Sequence, residues 1–145
     1  MRITLDTNVM VSSTFWAGAP DQVMRLVEEK EVELILSEEI MNELVEVLEY
    51  EEVKKKVREK GLMMRRSVEK ILSVSQIIKP NERIYAVKED PDDDKFLECA
   101  VEGDAEYLVS RDKHLLKLKK YKGIEIIKPE EFLRIINACK PRNNR

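Results

Sequence analysis

Short apolar runs typical of β-strands alternate along this chain with segments of helical periodicity. The apolar runs span residues 2–6, 33–36, 75–79, 107–110 and 124–127. The stretches between them, such as 21–30, repeat their apolar positions three and four residues apart. Strands separated by helices pair in parallel, and the helices cover both faces of the sheet. The sequence therefore predicts a three-layer α/β/α fold with a central, about five-stranded parallel sheet.

The length and composition bound the class of protein. The chain has 145 residues, of which 43% are hydrophobic and 38% charged, and its formal net charge is −3. We expect one globular domain over residues 1–138 and a short polar C-terminal tail over 139–145. A net negative charge argues against a protein that coats nucleic acid by electrostatics alone.

Three sequence patterns bear on the cellular compartment of the protein. No apolar run approaches the roughly 20 residues that a membrane-spanning helix needs, and no signal-peptide pattern opens the chain. The two cysteines, Cys99 and Cys139, lie among helical apolar residues without metal or redox spacing. We therefore predict a cytoplasmic protein with reduced thiols and no membrane partner.

Acidic residues stand where predicted strands end or predicted helices begin. Asp6 ends the first run, Asp112 follows the fourth after Arg111, and a cluster of acids occupies 90–94. These positions converge on one edge of a parallel sheet, where ligands bind. Carboxylates gathered at that edge repel one another unless a divalent cation neutralises them. The pattern therefore favours a metal site built from acids.

Asp6 and Asp112 each have a structural alternative. Asp6 could simply cap the turn that Thr7 and Asn8 continue, or those two residues could donate hydrogen bonds to it and fix its rotamer. Asp112 could serve as the N-cap of a helix predicted over 113–120. Both acids occupy the same kind of position after a β run, which favours the metal interpretation.

The acids of 92–94 complement the dipole of the helix that they open, with Asp90 as the expected cap and Pro91 at the first position. Helical spacing predicts that Asp94 points outward. The same spacing places Asp93 on the inward-facing stripe, with Phe96, Leu97 and Ala100. An inward-facing acid at a helix start is costly unless it is paired. Asp93 is therefore the candidate ligand of this cluster.

Glu43 lies in a helix that Ser37 is predicted to cap. Taken alone it is typical of a surface acid, because helical spacing places it at the border of the buried stripe. We expect that stripe to consist of Ile40, Met41, Leu44, Val45 and Leu48.

Together these segments resemble the PIN domain, a compact α/β fold of metal-dependent ribonucleases. Their order, spacing and context match over about residues 1–133, and the chain looks closest to the toxin-like branch found in prokaryotic toxin–antitoxin pairs. The matching pieces are Leu5-Asp6-Thr7-Asn8, the segment from Ser37 to Leu44, the segment from Asp90 to Ala100, and Tyr107-Leu108-Val109-Ser110-Arg111-Asp112.

The resemblance implies a site of four acids, namely Asp6, Glu43, Asp93 and Asp112. Asp6 and Asp93 would be the main metal ligands, and the other two would bind directly or through water. Asn8 and Ser110 would support the site, although Ser stands where Thr is commoner. The implied cofactor is Mg²⁺ or Mn²⁺, which suits oxygen ligands. The implied reaction is hydrolysis of RNA phosphodiester bonds by metal-activated water, leaving a 5′-phosphate and a 3′-hydroxyl.

The remaining expectations concern partners. The resemblance implies an RNA substrate, a possible antitoxin protein, and a homodimer or higher homo-oligomer. Basic runs over 54–66 and 111–122 are typical of solvated helix faces, or they could steer a polyanion to the acids. No Cys or His is expected to converge on the site, which speaks against zinc, and the lone His114 is expected at a helix surface without a general-base role.

Alternative functions are open at this level. A phospho-acceptor receiver module has a similar small α/β fold, but it would need adjacent acids after strand one, where a single acid stands. A haloacid-type phosphatase would need Asp-x-Asp there, and Asn8 occupies the second position. A third alternative is a catalytically silent PIN scaffold that binds RNA or protein.

Overall fold

Six strands form one sheet in the order β3-β2-β1-β4-β6-β5. The structure is a computed structural model and describes residues 1–60 and 64–139. The strands are β1 (Arg2–Leu5), β2 (Glu33–Ser37), β3 (Ser75–Ile78), β4 (Tyr107–Val109), β5 (Lys120–Tyr121) and β6 (Ile124–Ile127). All neighbouring strands are parallel except β5 and β6. The predicted α/β fold is confirmed.

Helices connect the strands in the alternation that the sequence predicts. They are α1 (Thr7–Phe15), α2 (Ala19–Glu28), α3 (Glu38–Leu48), α4 (Glu51–Lys60), α5 (Met64–Val74), α6 (Asp94–Glu102), α7 (Lys113–Leu116) and α8 (Pro129–Cys139), and a 3₁₀ turn (Pro91–Asp93) precedes α6. The sequence over residues 50–73 predicts two amphipathic helices with a break at Gly61, and that break lies outside the described residues. Of the predicted tail over 139–145, Cys139 ends α8 and the remaining residues lie outside the part of the chain that the structure describes.

The first strand is central, as its apolar sequence predicts. It lies between β2 and β4, and its register pairs Leu5 with Val109. Ile3 and Leu5 are fully buried, and so are Leu108 and Val109 on the neighbouring strand. Because both strands run in the same direction and end in register, the residues that follow them meet at one edge of the sheet.

Two elements of the structure differ from those that the sequence predicts. A nine-residue helix, α1, follows directly after β1, where only a turn was predicted. Its sequence, TNVMVSSTF, groups apolar and hydroxyl residues without a helical stripe, so periodicity could not identify it. The predicted helix after Asp112 is also much shorter and ends at Leu116. The chain then forms the β5–β6 hairpin, whose turn contains Gly123 with a φ of +84°.

Helix α3 confirms its predicted cap but not its whole buried stripe. The Ser37 hydroxyl accepts a hydrogen bond from the backbone N–H of Ile40 at 3.3 Å. Ile40, Leu44 and Leu48 are buried, whereas Val45 is 47% exposed. The prediction for Val45 is wrong because it lies one residue, or about 100°, beyond Leu44 around the helix.

Two further findings bear on the class of protein. Cys99 is buried and Cys139 is exposed, and both thiols are free. Among the described residues, no helix combines the length and apolar character needed to cross a bilayer.

Candidate metal centre

Asp6 is a buried carboxylate at the end of the central strand. Its Oδ1 accepts a hydrogen bond from the backbone N–H of Val9 at 2.8 Å, so Asp6 caps α1 as the structural alternative predicted. Its Oδ2 accepts a hydrogen bond from the Ser110 hydroxyl. Burial raises the pKa of Asp6, and the charge of Asp112 raises this pKa further. The two hydrogen bonds, together with one from the backbone of Arg111, lower the pKa and partly offset the rise.

Asp112 occupies the matching position one strand away. Its backbone N–H donates to Ser110 Oγ at 2.9 Å, so one hydroxyl joins the two acidic segments. Its Oδ1 accepts from the backbone N–H groups of His114 at 2.8 Å and Leu115 at 3.3 Å. Asp112 therefore also caps a helix, α7, and this capping fixes its carboxylate at the sheet edge.

Two acids from the segment that leads into α6, Asp90 and Asp93, lie close to Asp112. Asp90, Asp93, Asp112 and His114 each offer one candidate ligand atom, and these four atoms lie within 4.8 Å of one another. Asp90 stands at the cap position but accepts no capping hydrogen bond through its side chain from the described residues. Asp90 therefore occupies the predicted cap position, with Pro91 next to it, but its carboxylate belongs to the acidic cluster and makes no capping hydrogen bond within the described part of the chain.

His114 also differs from its expectation. The sequence analysis placed it at a helix surface with no histidine converging on the acids, yet its imidazole is half-buried within the cluster. The reason is that α7 has only four residues and begins directly after Asp112. His114 Nδ1 lies 3.8 Å from Asp112 Oδ1, close enough for attraction whenever the imidazole is protonated.

Asp93 carries the clearest electrostatic signal. Its Oδ2 is buried and has no hydrogen-bond partner among the described residues. The pKa of Asp93 is raised to about 7, mainly by burial and further by the charges of Asp112, Asp90 and Asp6. The charge of Lys95 acts in the opposite direction. The influence of Asp6 shows that Asp93 and Asp6 share one electrostatic environment, although they are far apart in sequence.

Glu43 reaches the same region but is already paired. Its Oε2 accepts a hydrogen bond from Thr7 Oγ1 at 2.9 Å and lies 2.9 Å from Lys95 Nζ. The sequence predicts that Thr7 could donate to Asp6. In the structure its hydroxyl donates to Glu43 instead. Burial lowers the pKa of Lys95, but its hydrogen bonds and attraction to Glu43 and Asp92 outweigh that effect, so the net pKa is raised and the ammonium stays charged.

Asp94 points inward, against its predicted outward direction. It is 5% exposed, and its Oδ1 accepts from the backbone N–H groups of Ala86 at 3.0 Å and Val87 at 2.9 Å. Asp94 opens α6, and the side of the helix that it shares with Glu98 is covered by the irregular segment over residues 84–87, which the apolar stripe of α6 does not reveal. Glu98, one turn later, accepts from the backbone N–H of Ile84 at 2.9 Å. These two buried acids fix the irregular segment that leads into Asp90.

The residues predicted to support the site behave differently from each other. The Ser110 hydroxyl is fully buried and joins Asp6 to Asp112. Asn8 is exposed, and its side chain makes no hydrogen bond to the part of the chain that the structure describes. Lys95 escaped the sequence analysis altogether, because a lysine next to a run of acids is normally a surface residue.

The donor set fits a hard divalent cation. Carboxylate oxygens are the ligands that Mg²⁺ and Mn²⁺ prefer, whereas an imidazole nitrogen suits Zn²⁺ and other transition metals. The expected argument against zinc, that no histidine converges on the site, is therefore wrong, because His114 lies within the cluster. A buried carboxylate oxygen without a partner is costly, and a cation bound beside it would remove that cost. Asp93, Asp112 and Asp90 could hold such an ion, with Asp6 adjacent.

Comparisons with known proteins identify the family and the fold. A family profile described as the PIN domain matches residues 2–114. The fold is similar to that of a chain in the crystal structure of VapBC2 from Rickettsia felis bound to a DNA fragment from the VapBC2 promoter, with a TM-score of 0.58 and 16% sequence identity. The match covers 87% of this chain and 97% of that chain. No curated protein matches the sequence. The profile covers more than three-quarters of the residues, from β1 through the acidic cluster, and on this ground the chain belongs to the PIN domain family.

Proposed function

We propose that the chain is a metal-dependent endoribonuclease that hydrolyses RNA phosphodiester bonds. The observation that carries this proposal is the partnerless, buried Oδ2 of Asp93 within a cluster of acids. PIN family membership supports the nuclease assignment and leaves the receiver alternative without support. The proposed site keeps the four acids of the sequence analysis, Asp6, Glu43, Asp93 and Asp112.

The residues of the chain would divide the work. Asp93, Asp112 and Asp90 would hold Mg²⁺ or Mn²⁺, with Asp6 close enough to contribute its charge. Bound there, the ion lowers the pKa of a coordinated water and offsets charge on the phosphate. Ser110 keeps Asp6 and Asp112 in place through its two hydrogen bonds. The expected products carry a 5′-phosphate and a 3′-hydroxyl.

The proposal also concerns partners and location. We propose that the protein is the toxin of a toxin–antitoxin pair, which the fold likeness to VapBC2 supports, and that it forms a homodimer or higher homo-oligomer. A cytoplasmic location agrees with the two free thiols. Light scattering of the purified chain, alone and with the product of the neighbouring reading frame, tests the assembly.

Cleavage of labelled single-stranded RNA tests the activity. Wild type, Asp93→Asn and Asp104→Asn are incubated with Mn²⁺ or with EDTA. Asp104 is an exposed acid with a φ of +51°, which Asn adopts as readily as Asp, so it is a matched control. Wild type and Asp104→Asn should cleave only with Mn²⁺, and Asp93→Asn should lose at least about 100-fold in rate.

Cleavage that persists in EDTA, or equally in Asp93→Asn, would refute the metal mechanism. A second candidate function, a silent PIN scaffold, predicts another result. In that case wild type and Asp93→Asn bind the RNA with equal affinity and neither cleaves it.

A further inference from the structure

Lys95 has an environment that is unusual for a lysine. Its side chain is only 8% exposed. The ammonium nitrogen lies 2.9 Å from Glu43 Oε2, 3.0 Å from Asp92 Oδ2 and 3.0 Å from the backbone carbonyl oxygen of Asp92. An ammonium group has three N–H donors, and each has an oxygen acceptor here. Lys95 therefore fills a small cation position whose hydrogen-bond acceptors are three oxygen atoms, with the centroid of the Phe96 ring farther away at 5.2 Å.

This position is separate from the partnerless oxygen of Asp93. Glu43 is neutralised by Lys95 and also accepts a hydrogen bond from Thr7, whereas Asp93 Oδ2 has no partner in the described part of the chain. The negative charge of Glu43 is thus already compensated by Lys95, whereas Asp93 lacks a hydrogen-bond donor at Oδ2 among the described residues.

We infer that Lys95 acts as a resident cation that occupies a second cation position of the site and limits the protein to one divalent ion. The inference rests on the proposed function and refines it. Glu43 then contributes to the site through its ion pair rather than as a ligand of the bound metal. Lys95 is a positioning residue, because it links Glu43 in α3 to Asp92 in the 3₁₀ turn before α6.

The oxygen atoms around Lys95 explain what its removal should do. If the ammonium is replaced by an uncharged group, two carboxylates and a carbonyl oxygen remain with no cation between them. Oxygen-only sets of this kind bind Mg²⁺ and Mn²⁺, at about 2.0–2.2 Å, so a modest contraction suffices. A second divalent ion should therefore enter where the ammonium stood.

Counting bound Mn²⁺ by electron paramagnetic resonance and calorimetry tests the inference without relying on cleavage. Wild type and Lys95→Arg should bind one ion per chain, and Lys95→Met should bind two. Lys95→Met with Glu43→Gln should return to one ion, because the second position then keeps a single carboxylate. Lys122→Met, which removes an exposed lysine that pairs with Glu82, is the matched control and should bind one.

Glu43→Gln alone gives an independent result, because the amide oxygen can still accept a hydrogen bond from Lys95 and the ammonium keeps its ion pair with Asp92. We expect one ion bound with an affinity within threefold of wild type. A tenfold or greater loss would overturn the inference, as would two ions on wild type or a single ion on folded Lys95→Met. If Lys95→Met does not fold, Glu43→Gln and the double variant decide. Absence of any Mn²⁺ binding to wild type would instead refute the proposed metal dependence itself.

Discussion

The Ser110 hydroxyl donates a hydrogen bond to Oδ2 of Asp6 and so ties together the ends of the two central strands. The same hydroxyl accepts the backbone N–H of Asp112 at 2.9 Å. This link exists because β1 and β4 pair in register, with Leu5 opposite Val109. A side chain without charge thus sets the relative position of two acids that are distant in sequence.

Replacing Ser110 with alanine should weaken both the fold and the site. A hydrogen bond to a charged group contributes about 1.5–3 kcal/mol, and the buried carboxylate of Asp6 would lose one. We expect Ser110→Ala to lower the free energy of unfolding by about 2 kcal/mol and to weaken Mn²⁺ binding about tenfold or more. Urea unfolding and calorimetry measure the two effects.

Ser110→Thr is the matched control, because it keeps the hydroxyl and adds only a methyl group. It should bind Mn²⁺ more tightly than Ser110→Ala, even if the added methyl costs about 1 kcal/mol of stability in this packed position. Equal Mn²⁺ affinity in the Ala and Thr variants would show that the hydroxyl does not position the acids.

The strands and two of the acids could be predicted because their signals are local. A short apolar run followed by an acid identifies both β1 with Asp6 and β4 with Asp112, and parallel pairing then brings the two ends together. The inward direction of Asp93 followed from the helical stripe that includes Phe96 and Leu97, both buried.

Other features depended on contacts between distant segments. Helix α1 has no amphipathic stripe, so only its packing against the rest of the fold distinguishes it from a turn. Asp94 is buried because the backbone N–H groups of Ala86 and Val87 compensate its charge. Lys95 is buried because Glu43, from another helix, lies beside it. Sequence periodicity contains no information on such partners.

Asp94 should be important for stability because it fixes the irregular segment before the acidic cluster. Asp94→Ala leaves the backbone N–H groups of Ala86 and Val87 without their acceptor, and we expect a loss of about 3 kcal/mol in urea unfolding. Asp94→Asn keeps one oxygen acceptor and should lose less. Asp21→Ala, which removes a helix ion pair with Arg25, should stay within about 0.5 kcal/mol of wild type. A loss in Asp94→Ala no greater than in Asp21→Ala would contradict the structural role.

Helix α4 should contribute to RNA binding through its basic side chains. Lys55, Lys56 and Arg58 are exposed, and Lys56 Nζ lies 4.0 Å from the centroid of the Trp16 ring. Replacing all three with alanine should weaken binding of single-stranded RNA and reduce the slope of log affinity against log salt by about 2. Fluorescence anisotropy at several salt concentrations measures the slope.

The acids of the same helix provide the control for that experiment. Replacing Glu51, Glu52 and Glu59 with alanine changes the helix to a similar extent but with the opposite charge effect, so binding should become tighter. If both triple variants weaken binding equally, the effect comes from the helix itself and not from its charge.

The stability of the metal-free protein should fall as pH rises, because of Asp93. Its pKa is about 7 in the folded protein, against an ordinary value of 3.8. The folded state therefore binds a proton that the unfolded state has released between these values, and stability decreases from pH 3.8 to 7 and then levels off. One pKa unit corresponds to about 1.4 kcal/mol, but this carboxylate is partly exposed and screened, so we expect a total loss of about 1–2 kcal/mol.

Urea unfolding in EDTA at pH 5 and pH 8 measures this loss, with Asp93→Asn as the variant that cannot titrate. Because pH 5 already lies inside the window from 3.8 to 7, the comparison captures about 60% of the total loss. The difference between the two pH values should therefore be smaller in Asp93→Asn than in wild type by about 0.6–1.2 kcal/mol. Saturating Mn²⁺ at pH 8 should stabilise wild type and have a much smaller effect on Asp93→Asn, because the ion then neutralises the same carboxylate. An identical pH dependence in the two proteins would show that Asp93 is not the group whose charge opposes folding.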